Sequence, residues 1–179
     1  MKPTLSLLTV MGNDRAGIIA EVSRVLFGEN CNLEDISMTV LEGQLAMMMV
    51  VCVKPEKRRA VHAALKNLGQ TRGLTFFWND FKETRTSSKP AGTYLVRAIG
   101  RDRTGIVYEV SQALAKSGLN ITDLNSKILG KKSKPIYAMA LEVEIPENFE
   151  LKRLEQTFSR LRKRLKIELT LKPIERFEF

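Results

Sequence analysis

The chain has 179 residues, of which 44% are hydrophobic, so it is long enough for one ordinary domain or two compact ones. No apolar stretch approaches the roughly 20 residues of a membrane-spanning helix, and no membrane association is expected. The cysteines Cys31 and Cys52 lie in apolar runs without metal-like spacing, which predicts reduced, buried thiols in a cytoplasmic protein. The N-terminal segment predicts a strand rather than a signal peptide.

The net charge is +9, from 29 basic and 20 acidic residues. Much of the basic excess lies between Lys152 and Lys166, in the last predicted helix, and more lies between Lys127 and Lys134, in a predicted hairpin loop. Because the charge is local, a solvated helix face explains it better than a nucleic-acid-binding surface.

An internal repeat is the strongest pattern in the sequence. Residues 12–41 align without a gap with residues 100–129, an offset of 100 − 12 = 88, and twelve of the thirty aligned positions are identical. Further along, Pro55 matches Pro146 at an offset of 146 − 55 = 91, which predicts a three-residue insertion within residues 130–135 of the second copy. An exposed loop is the natural place for such an insertion.

Each copy predicts the element order β-α-β-β-α-β. In the first copy, the predicted strands cover residues 4–11, 33–42, 45–53 and 74–81. A first helix is predicted from apolar residues at helical spacing, namely Ile18, Ile19, Val22, Val25 and Leu26. Gly43-Gln44 is predicted as the hairpin turn, and a second helix is predicted to open at Pro55-Glu56 and to be broken by residues 69–73.

The repeat therefore predicts the α+β class, with two ferredoxin-like domains, each an antiparallel sheet with its helices on one face. The first domain is predicted over residues 1–82 and the second over residues 93–179. Residues 83–92, polar with Pro and Gly, are predicted as the linker. Apolar residues within 37–40 and 47–51 are predicted to remain on the other sheet face, which favours pairing of the copies or dimerisation.

The repeated identities concentrate in the loop before the first helix and just after that helix. The loop reads GNDRAG in the first copy and GRDRTG in the second. Unpaired N–H groups at a helix N-terminus attract a carboxylate or phosphate, and Gly17 and Gly105 would let a ligand approach. Asn32 and Asn120 follow the helix, where an amide could contact a carboxylate or an ammonium group.

A structural explanation of the same residues is also open. Asp14 and Asp102 could be helix N-caps without any ligand. The asparagines at positions 32 and 120 could supply a left-handed turn residue, and the first glycine of each loop could simply end a strand.

The pattern of strand, D-R-x-G, helix, N-[LI]-x-D and strand resembles the ACT domain, the amino-acid-binding regulatory module of many biosynthetic enzymes. The tandem arrangement resembles the glycine cleavage system transcriptional repressor family, whose members are pairs of ACT domains without a catalytic or DNA-binding domain. Ala16 and Thr104 depart from the proline common in that loop. The resemblance implies ligand-binding positions in both copies. They are Gly12, Asn13, Asp14, Gly17, Asn32, Gly100, Arg101, Asp102, Gly105 and Asn120.

The same resemblance implies a small amino acid, most simply glycine or serine, as ligand. It also implies a protein partner such as a transcription regulator, and a homodimer is among the expected assemblies. No cofactor and no metal are expected, because no metal-ligand cluster, P-loop or G-x-S-x-G occurs. The function favoured is therefore an amino-acid-binding regulatory protein.

Three other interpretations are weaker. An RRM shares the element order but carries stacking aromatics on its central strands, where only Tyr137 is available here, and Phe76, Phe77 and Trp78 are predicted to be core. An enzyme is not expected, because the single histidine, His62, has no counterpart in the second copy. A ligand-independent interaction module, docking through the Met47–Met49 run or the basic last helix, is the third alternative.

Overall fold

A computed structural model describes residues 3–80, 92–131 and 133–174. The chain divides into two compact units, residues 1–85 and 86–179. The predicted linker lies outside the described residues except for Gly92, which begins a strand.

Each unit has the predicted element order. In the first unit the elements are β1 (Thr4–Asn13), α1 (Ile18–Gly28), β2 (Asn32–Leu41), β3 (Gln44–Val53), α2 (Arg58–Arg72) and β4 (Leu74–Asp80). In the second they are β5 (Gly92–Arg101), α3 (Ile106–Lys116), β6 (Asn120–Leu129), β7 (Ile136–Ile145), α4 (Leu151–Leu165) and β8 (Ile167–Ile174). The sheets are antiparallel, in the orders β2-β3-β1-β4 and β6-β7-β5-β8, which confirms the predicted fold class.

A separate core lies between the sheet and the two helices of each unit. On β3, alternation sends Met47, Met49 and Val51 inward, all fully buried, whereas Met48 lies on the other face with half of its surface exposed. The open face thus carries part of the 47–51 run, as alternation implies, whereas Met47, Met49 and Val51 belong to the core. In the second unit Phe158 of α4 is fully buried in the equivalent core, and burial of one such side chain contributes about 2–3 kcal/mol.

Several predicted boundaries differ from the structure, and two of them have a clear cause in the backbone. The α2 helix passes through Gly69 and ends at Arg72, because Gly73 takes the left-handed conformation that terminates a helix (φ 67°). The first hairpin turn is Glu42–Gly43, not Gly43–Gln44, and both of its residues have positive φ. Two-residue hairpins favour that conformation because its twist matches the strands.

The predicted three-residue insertion is corrected by the strand register. Leu41 pairs with Gln44 in one unit and Leu129 pairs with Ile136 in the other, so the loops contain two and six residues. The second hairpin is therefore four residues longer. One residue is then lost after the strand, because Lys54 has no counterpart between Ile145 and Pro146.

The cysteines are less enclosed than predicted. Cys31 and Cys52 are free thiols, and both are only partly buried. Burial, together with the nearby carboxylate of Glu29, raises the pKa of the Cys31 thiol.

Candidate functional site

The loop between β1 and α1 has the same construction in both units. Gly17 and Gly105 stand at the N-caps with φ of 91° and 96°, and neither helix start receives a side-chain capping bond. The explanation of Asp14 and Asp102 as N-caps is therefore wrong, since each lies three residues before the cap. What remains is a helix start whose first N–H groups have no side-chain acceptor, a place suited to an anion.

Backbone hydrogen bonds hold each loop against the neighbouring hairpin. The Asp14 N–H donates to the Gly43 carbonyl at 2.8 Å, and the Asp102 N–H donates to the Pro135 carbonyl at 3.0 Å. The Asp14 side chain is exposed, and that of Asp102 is partly exposed. The main chain is thus fixed, and within the described part of the chain neither carboxylate has a hydrogen-bond or ion-pair partner.

Residue 13 of the loop differs between the units. The Asn13 Oδ1 accepts a 2.6 Å hydrogen bond from Nε2 of Gln44. The second unit has Arg101 and Ile136 in the corresponding places, so that link cannot form there. The two loops therefore present different side chains to any ligand.

The first glycine of each loop has a packing role. A Cβ on Gly12 would lie 2.7 Å from Cδ2 of Leu74 and 3.0 Å from the Gly73 carbonyl oxygen. A Cβ on Gly100 would lie 2.6 Å from Cγ2 of Ile167. Close approach of the neighbouring strand explains these glycines without a ligand.

Asn32 and Asn120 do not join the loop of their own unit. Asn32 pairs with Cys52, whereas Gly12 pairs with Leu45, so 52 − 45 = 7 residues of β3 separate the two positions, which is about 24 Å of strand. The left-handed residues after the helices are Asn30 and Gly118, so the turn explanation of Asn32 and Asn120 is also wrong.

An ion cluster that the sequence prediction did not include lies beside the loop. Arg15 contacts Glu21 at 2.6 Å, and Arg72 of α2 reaches the same carboxylate at 3.5 Å. The hydrogen bond from Arg15 lowers the pKa of Glu21 and raises that of Arg15.

The second unit has a related arrangement. Arg164 of α4 pairs with Glu109, and Nη1 of Arg103 donates to the Leu165 carbonyl at 3.4 Å. Arg15 matches Arg103 and Glu21 matches Glu109 in the internal repeat. A comparison of the two copies could therefore have identified these residues from the sequence.

The aromatic residues do not form a nucleic-acid platform. Of the four strand aromatics considered for such a platform, Tyr137, Phe76 and Trp78 pack against the cores on the helix side of the sheets. Phe77, at 57% exposure, faces outward, contrary to the core prediction. The ring of His62 lies 4.7 Å from that of Trp78 on the surface of α2.

Within the described ranges, no group of three His, Cys, Asp or Glu residues could hold a metal ion. The helices of that part of the chain are all too short or too polar to cross a membrane.

Comparison with known proteins follows the same two units. The model of the ACT domain family matches residues 4–79 and 93–172. A UPF0237 protein of Methanopyrus kandleri is 52% identical over 48 residues, which are 27% of this chain and 53% of that protein. A UPF0237 protein of Methanocaldococcus jannaschii is 41% identical over 51 residues, 28% of this chain and 57% of that protein. The chain thus spans little more than half the length of these relatives.

Two solved structures share the fold across nearly the whole chain. An unknown protein from Galdieria sulphuraria has a TM-score of 0.83 at 23% identity, covering 97% of this chain and all of that one. A candidate glycine cleavage system transcriptional repressor has a TM-score of 0.73 at 21% identity, covering 97% and 99% of the two chains. With both units matched by the family model, the chain belongs to the ACT domain family.

Proposed function

We propose that this chain is a non-enzymatic cytoplasmic regulator that binds a small amino acid and acts through a protein partner. The observation that carries the proposal is the uncapped helix start after Asp-Arg-x-Gly, which both units keep with the same positive-φ glycine. A purely structural loop would have no need of an open donor set and a free carboxylate in both copies.

The chemistry of the helix start suits a zwitterion. The N–H groups of the first turn would receive the ligand carboxylate, which the helix dipole also favours. The carboxylates of Asp14 and Asp102 would pair with its ammonium group. Glycine and serine fit best, because they have nothing beyond these groups except a hydrogen or a hydroxymethyl.

A second copy of the chain would complete the site. β2 is an edge strand and is exposed along its whole length. If the β2 strand of a second copy paired antiparallel with this strand, its Asn32 would lie opposite Leu41. Leu41 pairs with Gln44, which in turn pairs with Asn13 of the loop. We therefore expect Asn32 of one copy to contact a ligand bound at the β1–α1 loop of the other copy, because Asn32 lies too far from the loop of its own chain.

The regulated target is proposed by analogy with one relative. The candidate glycine cleavage repressor supports control of gene expression through a protein partner, and a direct contact with nucleic acid is not expected. The alternative is an interaction module that captures its partner without any ligand.

Calorimetric titration of the full chain with glycine, serine and the other standard amino acids tests the proposal. Saturable heat with a small amino acid is expected, and the double variant Asp14→Ala, Asp102→Ala should lose it while remaining folded. The matched control is Glu56→Ala with Glu147→Ala, which removes one exposed carboxylate per unit outside the loops. Absence of binding to all twenty amino acids would contradict the proposal.

Asn32 is tested in the same titrations. Asn32→Ala with Asn120→Ala should weaken binding, and sedimentation should show that the amino acid promotes association. Equal affinity in this variant would remove the asparagines from the site and leave the loop proposal standing.

A further inference from the structure

A groove in the first unit lies apart from the helix starts and from Asn32. It runs between α2 and β4 and has a volume of about 620 Å³, within the usual range for small-molecule sites. Its floor is apolar and includes Leu65, Phe76 and Trp78, and its rim carries His62 and Lys66.

The second unit shows the same place in a closed form. Arg162 of α4 donates from Nε to the Leu169 carbonyl of β8 at 2.7 Å and from Nη2 to Glu155 at 2.6 Å. Its side chain thus lies across the junction of helix and strand, and Leu169 is fully buried. The hollow that remains there is lined by residues of α4 alone.

The first unit lacks both members of that pair. Helix and strand positions correspond at an offset of 93, which places Gly69 where Arg162 stands and His62 where Glu155 stands. Phe76, the counterpart of Leu169, is left partly exposed in the groove. Side chains at position 69 are excluded, because a Cβ there would lie 2.6 Å from the Leu74 carbonyl oxygen. The opening is therefore built into the contact of α2 with β4.

The lining defines what the groove can hold. The rings of Trp78 and Phe76 offer flat apolar surfaces, and aromatic ligands gain from stacking as well as from burial. Lys66 is the one cation of the lining, and among the described residues its ammonium group has no ion-pair or hydrogen-bond partner. No carboxylate belongs to the described lining, so the groove selects against a cationic ligand.

We propose that the groove between α2 and β4 binds an aromatic monocarboxylate, with the ring against Trp78 and Phe76 and the carboxylate at Lys66. This site is independent of the amino-acid site at the helix starts, since none of the residues of those loops lines it. A regulator with both sites would respond to two metabolites of different chemistry.

The test uses the full chain and three probes of the same shape: 3-phenylpropionate, 3-phenylpropanamide and 3-phenylpropylamine. Trp78 is the only tryptophan in the chain, so its fluorescence reports on the groove directly. The acid should give a saturable change, the neutral amide should bind about three- to fivefold more weakly, and the amine should bind least.

Two variants copy residues that the second unit already contains. Lys66→Ser, after Ser159, should reduce affinity for the acid to that of the amide, with Lys54→Ser as the surface control. His62→Glu, after Glu155, should reverse the order, so that the amine binds better than the acid. Glycine or serine binding should be unchanged in both, which separates this site from the other.

Absence of a saturable change with all three probes would overturn the proposal. Equal binding of acid and amine to the unmodified protein would overturn it as well, because the role of Lys66 would be removed.

Discussion

The hydroxyl of Ser6, itself 2% exposed, donates a 2.7 Å hydrogen bond to Oδ1 of Asp80. The two residues face each other across β1 and β4. Asp80 also receives the Trp78 indole N–H at 3.1 Å and pairs with Arg58 of α2. One carboxylate therefore joins the edge strand to the centre of the sheet and to a helix.

Asp80→Ala should destabilise the first unit by about 1–3 kcal/mol, because it leaves the buried Ser6 hydroxyl without an acceptor. Urea unfolding followed by Trp78 fluorescence measures the loss. Ser6→Ala should cost less, since Asp80 is partly exposed and keeps its other partners, and the double variant should cost no more than Asp80→Ala alone. Asn79→Ala, at the neighbouring exposed position, is the control. Additive losses would contradict the coupling.

Acid should weaken the first unit through Glu21. The hydrogen bond from Arg15 lowers the pKa of Glu21 in the folded chain, so its contribution to stability is present above the unfolded pKa. That contribution is lost as the pH falls through the folded pKa. Arg15→Ala should raise the Glu21 pKa in an NMR titration and flatten the acid limb of the stability curve. An unchanged titration would show that the other nearby arginines, Arg72 and Arg24, lower this pKa without Arg15.

Gly12→Ala and Gly100→Ala should both destabilise, because the added methyl groups meet the neighbouring strand. The loss should be larger at Gly100. A Cβ on Gly100 would meet three atoms of the branched Ile167, namely Cγ2, Cβ and Cα, at 2.6, 3.0 and 3.1 Å. A Cβ on Gly12 would meet the movable end of Leu74 at 2.7 Å and the Gly73 carbonyl oxygen at 3.0 Å. Thermal unfolding compares the two, and the reverse order would contradict the packing explanation.

Lys166→Gly should stabilise the second unit by about 0.5–1 kcal/mol. Lys166 ends α4 in the left-handed conformation, with φ 52°, where the first unit has Gly73 with φ 67°. A glycine adopts this conformation without the steric cost of a Cβ. The matched variant Gly73→Lys should destabilise the first unit by a similar amount. If Lys166→Gly does not stabilise its unit and Gly73→Lys does not destabilise the other, the lysine side chain makes a compensating contact.

Most of the fold could be predicted because the repeat fixes the pairing of elements and alternation fixes their faces. Met47 and Met49 point inward by the same period that places Met48 outward, but the run of three methionines hides that period in the sequence. The end of α2 could not be predicted from Gly69, because a glycine within a helix costs only about 1 kcal/mol and the helix continues through it. In this position the glycine allows a close approach to β4.

The candidate site was only partly predictable. Matched spacing identified the loop, but it gave no sign that Asn32 lies at the far end of the strands, because a helix and a turn carry the chain there. The groove beside Trp78 could not be predicted at all. The groove depends on the absence of a side chain at Gly69. Its cause becomes clear only when Gly69 is compared with Arg162, which closes the corresponding place in the second unit.

The uneven hairpins have a practical consequence for exchanging segments between the halves. Equivalent residues differ by 88 positions through β6, by 92 in β7 and by 93 from α4 onward. A chimera designed with the constant spacing of 88 would shift the β7 sequence by 92 − 88 = 4 residues, which keeps its faces but puts loop residues such as Ser133 and Pro135 into the first positions of the strand. Grafts that change spacing at the two loops should instead fold, which makes the pair a ready system for asking what each half contributes.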